Sequence, residues 1–222
     1  MIGSDFESKK YSATDDIREI KETGNPSNIN IVLQTGGGIN SKISNDIDFS
    51  KVQRHQIING NIHTLKSLGY KNMAEPNTLS DFIKWGISEF PAKKYAIILW
   101  DHGSGIHGFG KDINFNNDEL PPFELYKAFY DGLNNISVRF DLIGFDACLM
   151  SSLETASRLF NFSTYMVASE EVIPEWGWNY TSIIRGLISN PNQSGYLLGK
   201  SIIDSYSNSS KHLSKSEKFG TD

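Results

Sequence analysis

Apolar positions along the chain switch repeatedly between helical and strand spacing, and the alternation predicts most of the elements. Ser12-Ala-Thr-Asp15 has capping-box spacing, Ile17 and Ile20 share the face that follows, and Gly24 with Pro26 ends the helix. Ile29 to Gln34 is a short β-branched run, hence a buried strand. Val52–Ile58 and Ile62–Leu65 flank Asn59-Gly60-Asn61, the signature of a hairpin through an Asn-Gly turn. Thr78 to Asp81 repeats the capping spacing, and Leu79, Phe82, Ile83, Ile87 and Phe90 form a helical stripe ended by Pro91. Tyr95 to Trp100 is the strongest strand. Pro121 and Pro122 open another helix with Leu125 and Phe129 facing inward. Asp141 to Ala147 reads as a strand, Met150 to Leu159 as the helix after it, and Thr164 to Ala168 as one more strand. Two helices follow, around Tyr180–Ile188 and Tyr196–Tyr206. The first residues, Met1 to Asp5, read as the end of a strand.

Mostly apolar strands alternating with helices imply a parallel sheet covered on both faces. In such folds reactive groups lie beyond the carboxyl ends of the strands. The two strongest strands end in Asp101-His102-Gly103 and Asp146-Ala147-Cys148.

Composition narrows the chemistry. The 222 residues fit one large domain, and 38% hydrophobic with 12% aromatic residues can build a core. Basic and acidic side chains number 21 and 26, a net charge of −5, and no segment concentrates Lys and Arg; a nucleic-acid partner is not expected. No stretch approaches the roughly 20 apolar residues of a membrane helix, so no membrane partner is expected either. The single cysteine, Cys148, excludes an internal disulfide and a zinc site built on several thiolates. It is either an inert buried thiol or a reactive one.

Cys148 directly follows a strand and is expected to open a helix, where the positive end of the macrodipole favours the thiolate. His102 occupies the matching end of another strand; alone it reads equally as a turn histidine bonded to backbone. Gly103 after it lets the backbone approach a substrate and offers an open N–H, which with the Cys148 N–H makes a candidate oxyanion hole. A Cys/His pair on one sheet edge points to nucleophilic acyl transfer. An esterase of the nucleophile-elbow type is disfavoured, because no glycine stands two residues after Cys148.

Three stretches carry a wider likeness: YAIILWDHGSG (95–105), FDLIGFDACLMSSLETA (140–156) and ASEEVIPEWGWNY (168–180). Lesser echoes are GSDFES (3–8), YSATDDIREIKETG (11–24) and EPNTLSDFIKW (75–85). With these the chain resembles the clostripain family of cysteine peptidases, in the clan of caspases, legumains and gingipains. The resemblance implies a caspase-like three-layer α/β sandwich with a mostly parallel central sheet flanked by helices. It implies that residues 1–222 are a single catalytic core, shortened at both ends relative to the family domain. It also implies a cysteine endopeptidase that cleaves polypeptides after Arg or Lys, with His102 and Cys148 as a dyad and Gly103 in the oxyanion hole. Asp146 would line the pocket for the basic P1 side chain. Residues i and i+2 of a strand share a side, so Asp146 should point as Cys148 does and could pair with a substrate Arg. The competing reading is a helix N-cap. Glu170, Glu171 and Glu175, in a loop with two tryptophans, are candidates for a second anchor or simply solvated.

No cofactor is needed for this chemistry. Calcium is a further expectation, with Asp112, Asp118 and Glu119 as oxygen ligands. Secretion or a cell-surface location follows from the family alone. Maturation by cleavage between the His and Cys segments would fall at Lys111, in a polar loop, rather than Lys127 or Arg139. The rival from another class is an incomplete, non-catalytic peptide-binding fragment of the same fold. Thr35-Gly36-Gly37-Gly38 lacks the spacing of a nucleotide fingerprint and reads as a strand-to-loop turn, and His107 as a surface-loop residue.

Overall fold

The computed structural model describes residues 6–7, 10–39 and 47–207; the expected strand end at Met1 to Asp5 lies outside them. Helix α1 spans Ser12–Thr23. Its start differs from the expected capping box. Ser12 is already helical and buried, and Tyr11 before it is left-handed at φ 57°. The cap comes from Glu7, fully buried, whose carboxylate accepts from the Thr14 N–H at 2.9 Å and the Thr14 hydroxyl at 2.6 Å.

Strands β1 (Ile31–Thr35), β2 (Val52–Ile58) and β3 (Asn61–Gly69) form an antiparallel meander. The Asn-Gly turn appears as expected, with Asn59 at φ 48° and Gly60 at φ 77°, the left-handed pair that a two-residue hairpin requires. A Cβ on Gly60 would stand 2.6 Å from the Lys21 carbonyl oxygen, so α1 packs where only glycine fits.

Helix α2 runs from Pro76 to Glu89, beginning two residues before the expected Thr78 because Pro76 takes the first-turn position that needs no N–H. Then come β4 (Ala96–Trp100), a hairpin of β5 (Phe109–Asp112) and β6 (Asp118–Leu120), α3 (Pro122–Leu133), β7 (Phe140–Asp146), α4 (Leu153–Leu159), β8 (Ser163–Val167), α5 (Tyr180–Ser189) and α6 (Gly195–Ser207). The β5–β6 hairpin was unexpected, since its Asn/Asp-rich wording reads as loop. It also places Lys111 in a paired strand rather than in the polar loop expected of a cleavage site. The three-glycine segment leaves β1 as irregular backbone, where Gly37 O accepts from the Ile113 N–H and Gly38 O from the Asn114 side chain.

β4, β7 and β8 form a parallel sheet with β7 in the middle, in the register Ala96↔Leu142 to Trp100↔Asp146. The side chains of β7 divide between two cores. Ile143 and Phe145, with Ala147 just past the strand, pack with Leu79, Ile83, Leu125 and Phe129 of α2 and α3. Leu142 packs with Trp178, Ile183, Leu198 and Ile202 on the opposite face. Leu142, Ile143 and Phe145 are completely buried, each worth about 1.5–3 kcal/mol of transfer free energy. A strand so anchored on both faces has one register available to it.

Candidate active site

That register sets the geometry of the strand ends. Trp100 pairs with Asp146, and the Asp101 N–H donates to the Asp146 carbonyl at 3.4 Å, so the ladder persists past β4. His102 and Cys148 each stand two residues beyond the last pair, at the same edge of neighbouring parallel strands. The two segments also touch. A Cβ on Gly103 would fall 1.9 Å from the Cys148 carbonyl oxygen, so glycine is obligatory there. Among the described residues no acceptor is bonded to the backbone N–H of Gly103 or Cys148.

Asp101, almost fully buried, holds the His102 backbone through its N–H at 2.5 Å and reaches the Lys111 N–H at 3.4 Å. The His102 ring is half-buried and stacks on Phe6. His107 is exposed in the following turn.

The expected helix at Cys148 is absent. α4 starts at Leu153, capped by Ser152, whose side chain accepts from the Thr155 N–H. The macrodipole therefore does not act on this thiol. Cys148 sits in a turn instead, half-buried, with its Sγ accepting from the Ile173 N–H at 3.3 Å and donating to the Ile173 carbonyl at 3.7 Å. Leu149 next to it is left-handed at φ 61°, an uncommon conformation for a non-glycine residue, and its N–H donates to the Glu171 carbonyl at 3.2 Å. Ser151 N–H donates to Ser169 O at 2.9 Å. The loop after β8 is thus laced along residues 148–151 by backbone bonds.

Asp146 is not an N-cap. It is buried, 3% exposed, at the end of β7. One oxygen, Oδ2, accepts from the Trp178 N–H at 3.0 Å and from the Tyr180 hydroxyl at 3.0 Å. The other, Oδ1, is buried and has no partner among the described residues. Burial pushes its carboxyl up to about 7, against the two hydrogen bonds that lower it. Gly177, at φ 54°, lies so close that a Cβ would come within 2.7 Å of Oδ2. Gly177, Trp178 and Tyr180 hold the carboxylate; the sequence reading singled out the loop's two tryptophans but not Gly177 or Tyr180, and a glycine between two tryptophans was the available signal.

Of the three candidate glutamates, Glu170 and Glu171 are exposed. Glu171 contributes backbone groups, its N–H bonding Ser169 Oγ and its carbonyl Leu149. Glu175 makes an ion pair with Lys10. The contacts shown to Asp146 come from the other end of that loop.

Of the three oxygen ligands expected for calcium, Asp112 and Asp118 accept hydrogen bonds within the fold. Buried Asp112 accepts from the N–H groups of Met73 (2.7 Å) and Asn114 (2.9 Å), and burial raises its pKa despite them. Asp118 accepts from Asn72 and from the Glu119 N–H. Among the described residues no group of three or more His, Cys, Asp or Glu side chains could hold a metal ion. Nor is any described helix long and apolar enough to cross a membrane.

A parallel sheet flanked by helices, with a cysteine and a histidine at the ends of adjacent strands, is the caspase-like α/β arrangement. The clostripain family profile matches residues 1–218, and the chain belongs to that family. Three solved structures share the fold. A secreted C11 cysteine protease from Bacteroides thetaiotaomicron, in complex with an irreversible peptide inhibitor, superposes with a TM-score of 0.70 at 19% identity, over 92% of this chain and 55% of that one. A structure of a secreted C11 cysteine protease from the same organism, called iotapain, gives 0.68 and 20% over 93% and 60%. An inactive zymogen C11 protease from Parabacteroides distasonis gives 0.67 and 22% over 97% and 56%. The chain therefore spans a little over half the length of these relatives. No curated protein sequence matches it.

Proposed function

We propose that this chain is the catalytic core of a cysteine endopeptidase that hydrolyses polypeptides after Arg or Lys. The observation that carries the reading is the shared register: His102 and Cys148 extend neighbouring strands by the same two residues, with Gly103 seated on the Cys148 carbonyl. In the reaction the Cys148 thiolate attacks the scissile carbonyl, and the Gly103 and Cys148 N–H groups receive the oxyanion. His102 protonates the departing amine, then takes a proton from the water that hydrolyses the thioester.

The preference for a basic P1 residue is supported by Asp146. Its Oδ1 is buried and unpartnered two residues before the nucleophile, and an unsatisfied carboxylate oxygen is stabilised by an incoming guanidinium or ammonium. Export from the cell is part of the same proposal, drawn from neighbours described as secreted.

The test is turnover of fluorogenic Arg, Lys, Asp and ester substrates beside Cys148→Ala. Amide cleavage after Arg or Lys that disappears in the variant is the expected result. Ester-only turnover would instead mark an acyl hydrolase, and no turnover with a cooperative melt a peptide-binding fragment.

A further inference from the structure

We propose that Phe6 is a positioning residue for the His102 imidazole, so that the segment preceding α1 belongs to the active site although it lies far from the dyad in sequence. The inference rests on the peptidase reading only for its kinetic consequence.

The Phe6 and His102 rings stack with centroids 3.8 Å apart and planes inclined by 22°. One whole face of the imidazole is thereby covered, and rotation about its Cβ–Cγ bond would drive ring edge into ring face. Phe6 is in turn fixed. Its ring meets Trp100 edge-on at 6.1 Å and packs on the core shared with Ile17 and Ile20 of α1. The Trp100 indole N–H donates to Asp16, also on α1, at 2.7 Å. The next residue, Glu7, is buried and bound through both oxygens to Thr14. A continuous series of contacts thus runs from α1 through Trp100 and Glu7 to Phe6, and from Phe6 to the plane of the imidazole. Space-filling alone would be served by any apolar side chain. A planar ring parallel to the imidazole is the specific feature, and pre-orienting an acid–base group is a recognised source of rate.

The experiment uses the full chain, with Phe6→Leu and Phe6→Tyr. Histidine ring signals are followed by NMR, the His102 signal being assigned by its loss in His102→Gln. Cys148 reactivity is read as its rate of alkylation by iodoacetamide, together with kcat, KM and thermal melting. Phe6→Leu should move the His102 signal downfield as the ring current disappears and should slow alkylation. It should lower kcat about tenfold while KM stays within about twofold. Phe6→Tyr, which keeps a planar ring, should restore all of these. If Phe6→Leu does not melt cooperatively, Phe6→Met takes its place. An unmoved His102 signal, unchanged alkylation, or a Tyr variant as impaired as Leu would overturn the proposal. A chain that shows the ring-current shift and the slowed alkylation but turns over no peptide supports the stack and defeats the peptidase reading.

Discussion

Two of the regions that bury charged or titratable side chains treat them in opposite ways. In the antiparallel meander, Arg54 and His55 on β2 are almost wholly enclosed. Arg54 donates to Gln34 at 3.0 Å and Asp81 at 3.1 Å and lies over the Trp85 ring; burial lowers its pKa, with Asp81 acting against that. His55 has a threonine hydroxyl on each ring nitrogen, Thr35 at 2.9 Å and Thr64 at 3.0 Å, and burial lowers its pKa to about 4. At the end of the parallel sheet, Asp146 has two donors on one oxygen and none on the other. Satisfied buried polar groups fix a fold; a buried oxygen held open beside a thiol has reason to await a ligand. On the proposed function the meander is structural and the strand ends are chemical, although both contain buried ionisable groups.

That contrast breaks or sharpens under substitution. The largest effect is expected from Cys148→Ala, which should remove at least about 10⁴-fold of peptide cleavage in a rate assay while melting stays cooperative. Asp146→Asn should raise KM for Arg and Lys substrates about a hundredfold and leave ester or Ala-P1 turnover far less changed. Arg54→Met should act in the other column: about 2–3 kcal/mol lost in urea unfolding, with kcat/KM of the folded fraction unaltered.

The subtlest test is pH. A carboxyl raised to about 7 in the fold stabilises it below the unfolded value and loses that contribution as pH rises toward 7. Asp146→Asn should consequently gain on the wild type from about pH 4 to 7 and then hold level. His55, depressed to about 4, has the reverse sign. Its contribution is present above its unfolded pKa and is lost as pH falls toward 4, so His55→Asn should flatten the acid limb.

The legible parts of this fold were those where periodicity and local chemistry agree. YAIILW and DLIGFDA are apolar enough to be recognised as buried strands, and the Asn59-Gly60 turn permits little else. The matched ends carrying His102 and Cys148 followed from those strands. Three features were hidden because they depend on contacts that periodicity within one element does not encode. The cap of α1 comes from Glu7 rather than Ser12, and the β5–β6 hairpin is polar because buried Asp112 organises its backbone. The thiol's setting depends on Ile173 rather than on a helix, since residues 148–152 turn through left-handed Leu149 before α4 begins. The grip on Asp146 by Gly177, Trp178 and Tyr180 likewise needs β7 and the loop after β8 to be adjacent, which spacing along one strand cannot reveal.

The central claim of the proposed function is that a nucleophilic thiol stands beside a carboxylate that receives a basic side chain. Mass spectrometry after incubation with a peptidyl-arginine chloromethyl ketone tests both halves together. The account predicts one adduct, on Cys148, formed far faster than with the corresponding alanine ketone and losing that advantage in Asp146→Asn. Equal labelling by both reagents, or arginine preference undiminished in Asp146→Asn, would contradict it.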